Sequence, residues 1–551
     1  MLARSVLSVI LLVASACSQI DATDVFREES VTIASGELAG RSFRYRIFVP
    51  EDQGPDEKLP VVLFLHGAGE RGNDNRRQLK FLPERMLETD YRKRFRSIVV
   101  APQCPRGVWW VSAETVDGRR VSADGPMLDL VQSVLDRTLE EERCDEDRIY
   151  LTGLSMGGYG TWHMAARSPK RFAAAAPICG GGSTTDAATL VDLPMQAWHG
   201  AKDRTVPKDA SLEMVRAVRD AGGICHYVEL PGVGHASWHR AYSPEGLLEW
   251  MFRQRRGQRT LGRVVACDQA GPRILVLDLD RPWAVDGELD ESVVVWEWRG
   301  EGLSSEQRKW FATPDEVKPH DDGTTLWVTA SGGGVFKIRL ADKKLLFAAK
   351  PGGNPHSATE LPDGSVVVAS STGNRLTRYP VLGDAGSRAS RTFELSDAHG
   401  VHWDSERQRL FALGGKELVS FQLGRGGLRE ERRWPLPVTE ENQQHERHGG
   451  HDLSPWAEPG EATRYLVTDM ERIFVFDPDT DSGAAWSPFA PLPEAEHVKA
   501  IGSVRPSGPF VGLQATTEWW SDRLLFVDAK GNRSLERRLP GSRVYKFRPF
   551  R

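Results

Sequence analysis

The run Gly153-Leu154-Ser155-Met156-Gly157 joins an apolar stretch, Arg148 to Leu154, to a helix-like one, Tyr159 to Arg167. A sharp strand-to-helix turn needs small residues around its serine, because the turn presses backbone atoms together while it exposes the hydroxyl. A serine hydroxyl is a weak nucleophile until a base takes its proton and a third group orients that base. The candidate base is His235, in Gly232-Val233-Gly234-His235 just beyond the strand-like Tyr227 to Leu230. The candidate orienting acid is Asp203, which follows the run Met195 to His199 in the segment His199 to Pro207. Asp186 and Asp192 follow no strand, His226 lies within one, and His239 is further from the glycine-rich turn. In this reading Ser155 attacks an acyl carbonyl, His235 shuttles the proton, and Asp203 holds the imidazole tautomer. Two backbone amides are the candidate oxyanion donors: Met156 at the helix start, and Ala68 where Val61 to Leu65 runs into His66-Gly67.

Further residues lie near these segments. Trp109-Trp110 follows a strand end, where loops of open α/β sheets gather, and is either a platform for an aromatic acyl group or a sugar ring or a pair that packs the loop. Glu70 and Arg71 read first as a loop ion pair; the other reading makes them substrate contacts, Glu70 being the candidate. His66 reads as a turn residue and Trp162 as core.

Short apolar runs alternate with helix-like segments from Leu59 onward: Val61 to Leu65, Ile98 to Ala101, Ile149 to Leu154, Ala173 to Ile178, Met195 to His199 and Tyr227 to Leu230. Continuous apolar strands separated by helices such as Met127 to Glu141 and Asp209 to Ala221 predict a doubly wound, mainly parallel sheet covered on both faces. Near Arg253 to Gly257 the alternation stops. Beyond it, paired short strands repeat every 40 residues or so, in registers beginning at Gly262, Val317, Asn354, Asp397, His448 and Glu496, which predicts an all-β propeller of about six blades. Histidines recur near these starts: His320, His356, His399 or His402, His451 and His497. Converging on a central channel, they would suit a divalent metal or an anion; the alternative is hydrogen bonding between blades. Trp519-Trp520 is a second candidate sugar platform or else packs between blades, and Gln443 to His448 reads as an exposed loop, with a loop over the channel mouth as the other reading.

The runs LHGAGERG, APQCPRGVWW, GLSMGGYGTW, PICGGG, HGAKDRTVP and GVGHASW, with the order serine, aspartate, histidine, resemble the α/β-hydrolase fold over residues 25–255. Within it they are similar to secreted esterases of the feruloyl and acetylxylan type and to prolyl-oligopeptidase-like predicted peptidases. The resemblance implies a serine carboxylesterase without a cofactor, acting on acylated glycan or a small ester. Residues 260–551 resemble, more loosely, propellers whose central histidines bind metal in pectate-fragment lyases or act in aryl sulfotransferases, and also a family of secreted propellers. Two rivals stand beside the esterase: a peptidase, and a propeller-centred metal-dependent lyase or binding protein.

The chain has 551 residues, ample for two domains. Its 71 Lys and Arg against 76 Asp and Glu give no electrostatic reason to expect a nucleic-acid partner. Residues 1–17, with Arg4, an apolar stretch and Ala14-Ser15-Ala16-Cys17, read as an export signal. Lipidation of Cys17 would anchor the protein at a bacterial envelope; plain cleavage after Ala16 would release it. Of the other cysteines, Cys104 and Cys179 are either bridged or two buried thiols.

Overall fold

The computed structural model describes residues 21–550 apart from 117–118, 259–260, 282, 286–287, 290, 321–322, 381–388, 390, 438–448, 459–460, 470, 481–484, 490–496, 505–507, 516–517 and 529. The readings made on Cys17 and on Gln443 to His448 therefore lie outside the described residues.

Eight strands form the first sheet: β1 Arg27–Thr32, β2 Ser42–Phe48, β3 Leu59–Leu65, β4 Ile98–Pro102, β5 Cys144–Leu154, β6 Ala174–Ile178, β7 Met195–Gly200 and β8 Cys225–Leu230. Their spatial order is β1-β2-β4-β3-β5-β6-β7-β8. The pairs β1/β2 and β2/β4 are antiparallel and every other pair is parallel. This is an α/β-hydrolase sheet.

Alternation along the central strands shows why both faces must be covered. Val61, Leu63 and Leu65 of β3 belong to one core cluster, with Ile149 and Leu151 of β5. Val62 and Phe64 belong to the other, with Tyr150 and Leu154. Each such side chain taken from water contributes about 1.5–3 kcal/mol before entropy is counted. Helix α1, Met127–Glu141, covers the first face with Leu128, Val131, Val134 and Leu135, the three-and-four spacing of an amphipathic helix. Helix α2, Met156–Arg167, joins it through Met156, Trp162, Met164 and Ala165. Helix α3, Asp209–Asp220, adds Met214, Val215 and Val218.

Six four-stranded antiparallel sheets follow and make a six-bladed propeller. The innermost strands are Pro314–Pro319, Pro355–Glu360, Gly400–Asp404, Asp452–Trp456, Val498–Ser503 and Val544–Phe550. The register expected to open at Gly262 begins with the second strand of its blade, not the first. Val544–Phe550, the last strand of the chain, pairs with Arg263–Asp268 and supplies that blade's inner edge. Closing the ring with strands from both ends pairs an edge that would otherwise be open.

The five described cysteines, Cys104, Cys144, Cys179, Cys225 and Cys267, are all free and buried. Among the described residues no helix is long and apolar enough to cross a membrane.

Candidate functional site

Ser155 sits between β5 and α2 with φ of 53°, a left-handed conformation that costs a non-glycine residue on the order of 1–3 kcal/mol. The turn is held by Ser155 N–H, which donates to Ile178 O at 2.9 Å, and by Tyr159 N–H to Ser155 O at 3.1 Å. Glycine is obligatory beside it. A Cβ on Gly157 would overlap Leu65 O, and one on Gly153 would lie 2.5 Å from Gly157 O.

The Ser155 hydroxyl donates to His235 Nε2 at 2.9 Å, and His235 Nδ1 donates to Asp203 Oδ2 at 2.8 Å. Asp203 Oδ1 accepts from the amides of Thr205 at 2.8 Å and Val206 at 3.0 Å, which fixes the carboxylate plane. Burial works to raise the Asp203 pKa, but the His235 hydrogen bond and these two amides outweigh it and leave the group below its ordinary range. The three residues expected to cooperate are thus brought into one hydrogen-bonded relay spanning the ends of β5, β7 and β8.

Met156 N–H is the first amide of α2 and Ala68 N–H the first of the one-turn helix Ala68–Glu70. Helix starts leave such amides without intrahelical acceptors and aligned with the positive end of the dipole. His66, buried, stiffens the approach to Ala68. Its Nδ1 donates to Gly67 O at 2.7 Å and its Nε2 accepts from the Cys104 amide at 2.9 Å. Burial drops its pKa to about 4, so the ring is neutral, in the structural role expected.

The paired-indole platform needs correction. Trp110 is fully buried and its Nε1 donates to His66 O at 3.0 Å, so it belongs to the core that holds the Ala68 turn. Trp109 alone is exposed, with the Arg71 guanidinium 5.2 Å from its ring centroid. Nor do Glu70 and Arg71 form an ion pair: Arg71 Nε donates to Ala68 O at 2.9 Å, while burial raises the Glu70 carboxyl above its ordinary pKa.

Three contributors went unrecognised in the sequence. His199, wholly buried, places Nε2 3.3 Å from Asp203 Oδ2 and 3.0 Å from Val206 O, bracing the acid loop; its signal was its place at the end of β7, in the run HGAKD. Trp238 stands edge-on to His235 at 5.4 Å and packs on Phe81, itself left-handed at φ 69°. Cys179, φ 41°, brings its Sγ within 4.8 Å of ligand atoms of Asp203 and His235. These could hold a soft metal, but burial pushes the thiol up to about 12, so it stays protonated.

In the propeller, His356, His399 and His451 converge. The first two rings stack at 4.4 Å, and His399 lies 5.0 Å from His451. His320 and His497 do not join them. His320 follows the far end of its inner strand, Pro314–Pro319, with Nε2 3.5 Å from Glu360, and His497 is exposed in a left-handed turn before Val498. Among the described residues no propeller group brings three His, Cys or acidic ligand atoms within 4.8 Å of one another.

Residues 117–245 match the dienelactone hydrolase family, and residues 281–550 match a family of unknown function, DUF6528. The "Putative carboxymethylenebutenolidase" of Escherichia coli K12 is 31% identical over 136 residues, covering 21% of this chain and 50% of that protein. The chain spans about half the length of the carboxymethylenebutenolidase relatives first matched. The "Bifunctional acetylxylan esterase/xylanase XynS20E" of Neocallimastix patriciarum is 26% identical over 165 residues, covering 30% of this chain and 22% of that one. Among solved structures, a thermostable esterase shares 36% identity over 43% of this chain and 64% of its own, with a TM-score of 0.40.

Proposed function

Starting from a hydrolase of the dienelactone hydrolase and esterase type joined to a six-bladed propeller, we propose that this protein is an exported serine esterase that removes acetyl- or feruloyl-type acyl groups from polysaccharide. The observation that carries the reading is the Ser155–His235–Asp203 relay on a strained turn. His235 Nε2 takes the hydroxyl proton as Ser155 Oγ attacks the ester carbonyl, and the proton then passes to the leaving alcohol. Asp203, held by the Thr205 and Val206 amides, stabilises the imidazolium formed on the way. The Met156 and Ala68 amides receive the oxyanion, each donor lowering the barrier by about 3 kcal/mol. Water then cleaves the acyl-enzyme by the same route in reverse.

Trp238 beside His235, Phe81 packed on Trp238, and exposed Trp109, next in sequence to Trp110, supply aromatic surface for a ring-bearing acyl group or a sugar. An acetylxylan esterase among the relatives and the export-type leader support a glycan substrate met outside the cell. Lipidation at Cys17 would keep the enzyme at the envelope. Ser155→Ala should abolish hydrolysis of p-nitrophenyl acetate, and the wild type should release acetate or ferulate from acylated xylan faster than it cleaves proline peptides. Full activity in the variant removes the nucleophile, and preference for peptides removes the esterase.

A further inference from the structure

Six side chains gather at the propeller axis, one from the start of each inner strand: Asp315, His356, Lys499 and Tyr545 as second residues of their strands, and His399 and His451 one residue ahead of theirs. In four blades a backbone hydrogen bond marks the same position. Ser331 N–H donates to Thr313 O, Ser371 N–H to Asn354 O, Ala515 N–H to His497 O and Gln269 N–H to Arg543 O, always two residues before the axial one. Thr313, Asn354, Asp397 and His497 are all left-handed, so four blades share the same strained entry. In four blades the register also slips at the axial residue: at Asp315, His356, Lys499 and the Tyr545-Lys546 pair. Such bulges re-aim a side chain, and here they recur around one point.

The charge at that point is unbalanced. Lys499 Nζ donates to His451 Nε2 at 2.9 Å, and among the described residues no carboxylate lies within ion-pair distance of it. Lys546, fully buried, lies 3.3 Å from Asp452, a carboxylate it shares with Arg548. Deeper in, Arg548 also bonds Glu316, which pairs with Lys318 at 3.1 Å. Asp315 does not compensate, because burial pushes its carboxyl up to about 8 and keeps it protonated at neutral pH. Lys318, Lys546 and Arg548 thus share the carboxylates of Glu316 and Asp452, Lys499 pairs with neither, and Asp397 is half-exposed at the rim, 3.3 Å from His399. Burial and the positive field of Lys499 and Lys546 both depress the pKa of His356, His399 and His451, so the imidazoles stay neutral. His356 Nδ1 is buried without a hydrogen bond among the described residues, 3.8 Å from Asp315 Oδ2. A cation would meet two ammonium groups here; an anion would relieve them.

We propose that the propeller axis is a second ligand site, taking an oxyanion — a carboxylate, sulfate or phosphate group — between Lys499, His356, His399 and Tyr545. Along the closing strand the ring lies at the end away from the hydrolase link. The residues after the interdomain segment enter at Arg263, opposite Phe550, whereas the ring sits at the Val544 end of that strand, roughly 20 Å away. His399 keeps 12% of its side chain in solvent, so the ring is reached from that end. A free inorganic oxyanion and the carboxylate of an acidic organic ligand satisfy the same donors.

The test is calorimetric titration and thermal unfolding of the full-length protein with sodium phosphate, sulfate and acetate against chloride at equal ionic strength. At least one oxyanion should bind and raise the melting temperature at about 10 mM. Phosphate alone would mark an inorganic ligand, and acetate a carboxylate one. Lys499→Met should weaken binding roughly tenfold or more, Lys499→Arg should retain it, and p-nitrophenyl acetate hydrolysis should be unchanged in both. If Lys499→Met does not fold, His399→Asn at the rim should show the same loss. No oxyanion effect in the wild type, equal binding by the folded variants, or binding of Zn²⁺ in place of anions would overturn the proposal.

Discussion

Replacing Asp203 by Asn tests the relay at the atom where its logic is concentrated. Oδ1 is committed to the Thr205 and Val206 amides, so the new side chain must keep its oxygen there. The Nδ2 amide then takes the place of Oδ2, 2.8 Å from His235 Nδ1 and 3.3 Å from His199 Nε2. A donor facing Nδ1 obliges His235 to carry its proton on Nε2, the atom that has to receive the Ser155 proton. The fold is kept while the base is turned the wrong way. The corresponding tautomer error in a serine protease lowers kcat by about 10⁴, or roughly 5.5 kcal/mol of barrier, and a similar loss is expected here. The assay is steady-state hydrolysis of p-nitrophenyl acetate beside thermal unfolding. A well-folded Asp203→Asn protein retaining a tenth or more of wild-type kcat would refute the reasoning.

Two other outcomes follow from local geometry. Gly157→Ala forces a methyl into the Leu65 carbonyl, with Leu65 C at 2.5 Å and His66 O at 2.8 Å, so α2 has to move. A loss of about 3 kcal/mol or more in urea unfolding is expected, together with loss of activity. Buried His66 binds a proton less readily in the folded protein than in the unfolded chain, since its pKa falls from 6.5 to about 4. Its contribution is therefore complete above about pH 6.5 and is lost as pH falls toward 4, a change of about 3 kcal/mol. Protection of the Cys104 amide, which donates to His66 Nε2, should decline over the same interval in hydrogen exchange; a flat profile would contradict the assignment.

Much of the hydrolase was legible because its signals are local. Continuous apolar runs mark strands buried on both faces, and Gly153 and Gly157 are forced by backbone overlap at the turn itself. Distance in the chain did not hide Asp203 and His235, since each follows a strand of one parallel sheet and such strands end on one rim. The misreadings share a cause: exposure and register depend on partners remote in sequence. Trp110 is buried because its indole finds the carbonyl of His66, 44 positions earlier. In the propeller, residue type was a poor guide and position a good one. His320 and His497 miss the axis, while Asp315, Lys499 and Tyr545 reach it through bulges that no periodicity announces. The last of these lies in a strand whose blade begins some 280 residues earlier, at Arg263.

The most direct test of the hydrolytic account is covalent capture of the nucleophile. Full-length protein treated with a fluorophosphonate and digested for mass spectrometry should yield about one adduct per chain, on the peptide carrying Ser155. Ser155→Ala should take up none and Asp203→Asn should react far more slowly. A stable adduct on another residue with Ser155 unmodified, or no adduct in enzyme that still hydrolyses esters, would contradict it.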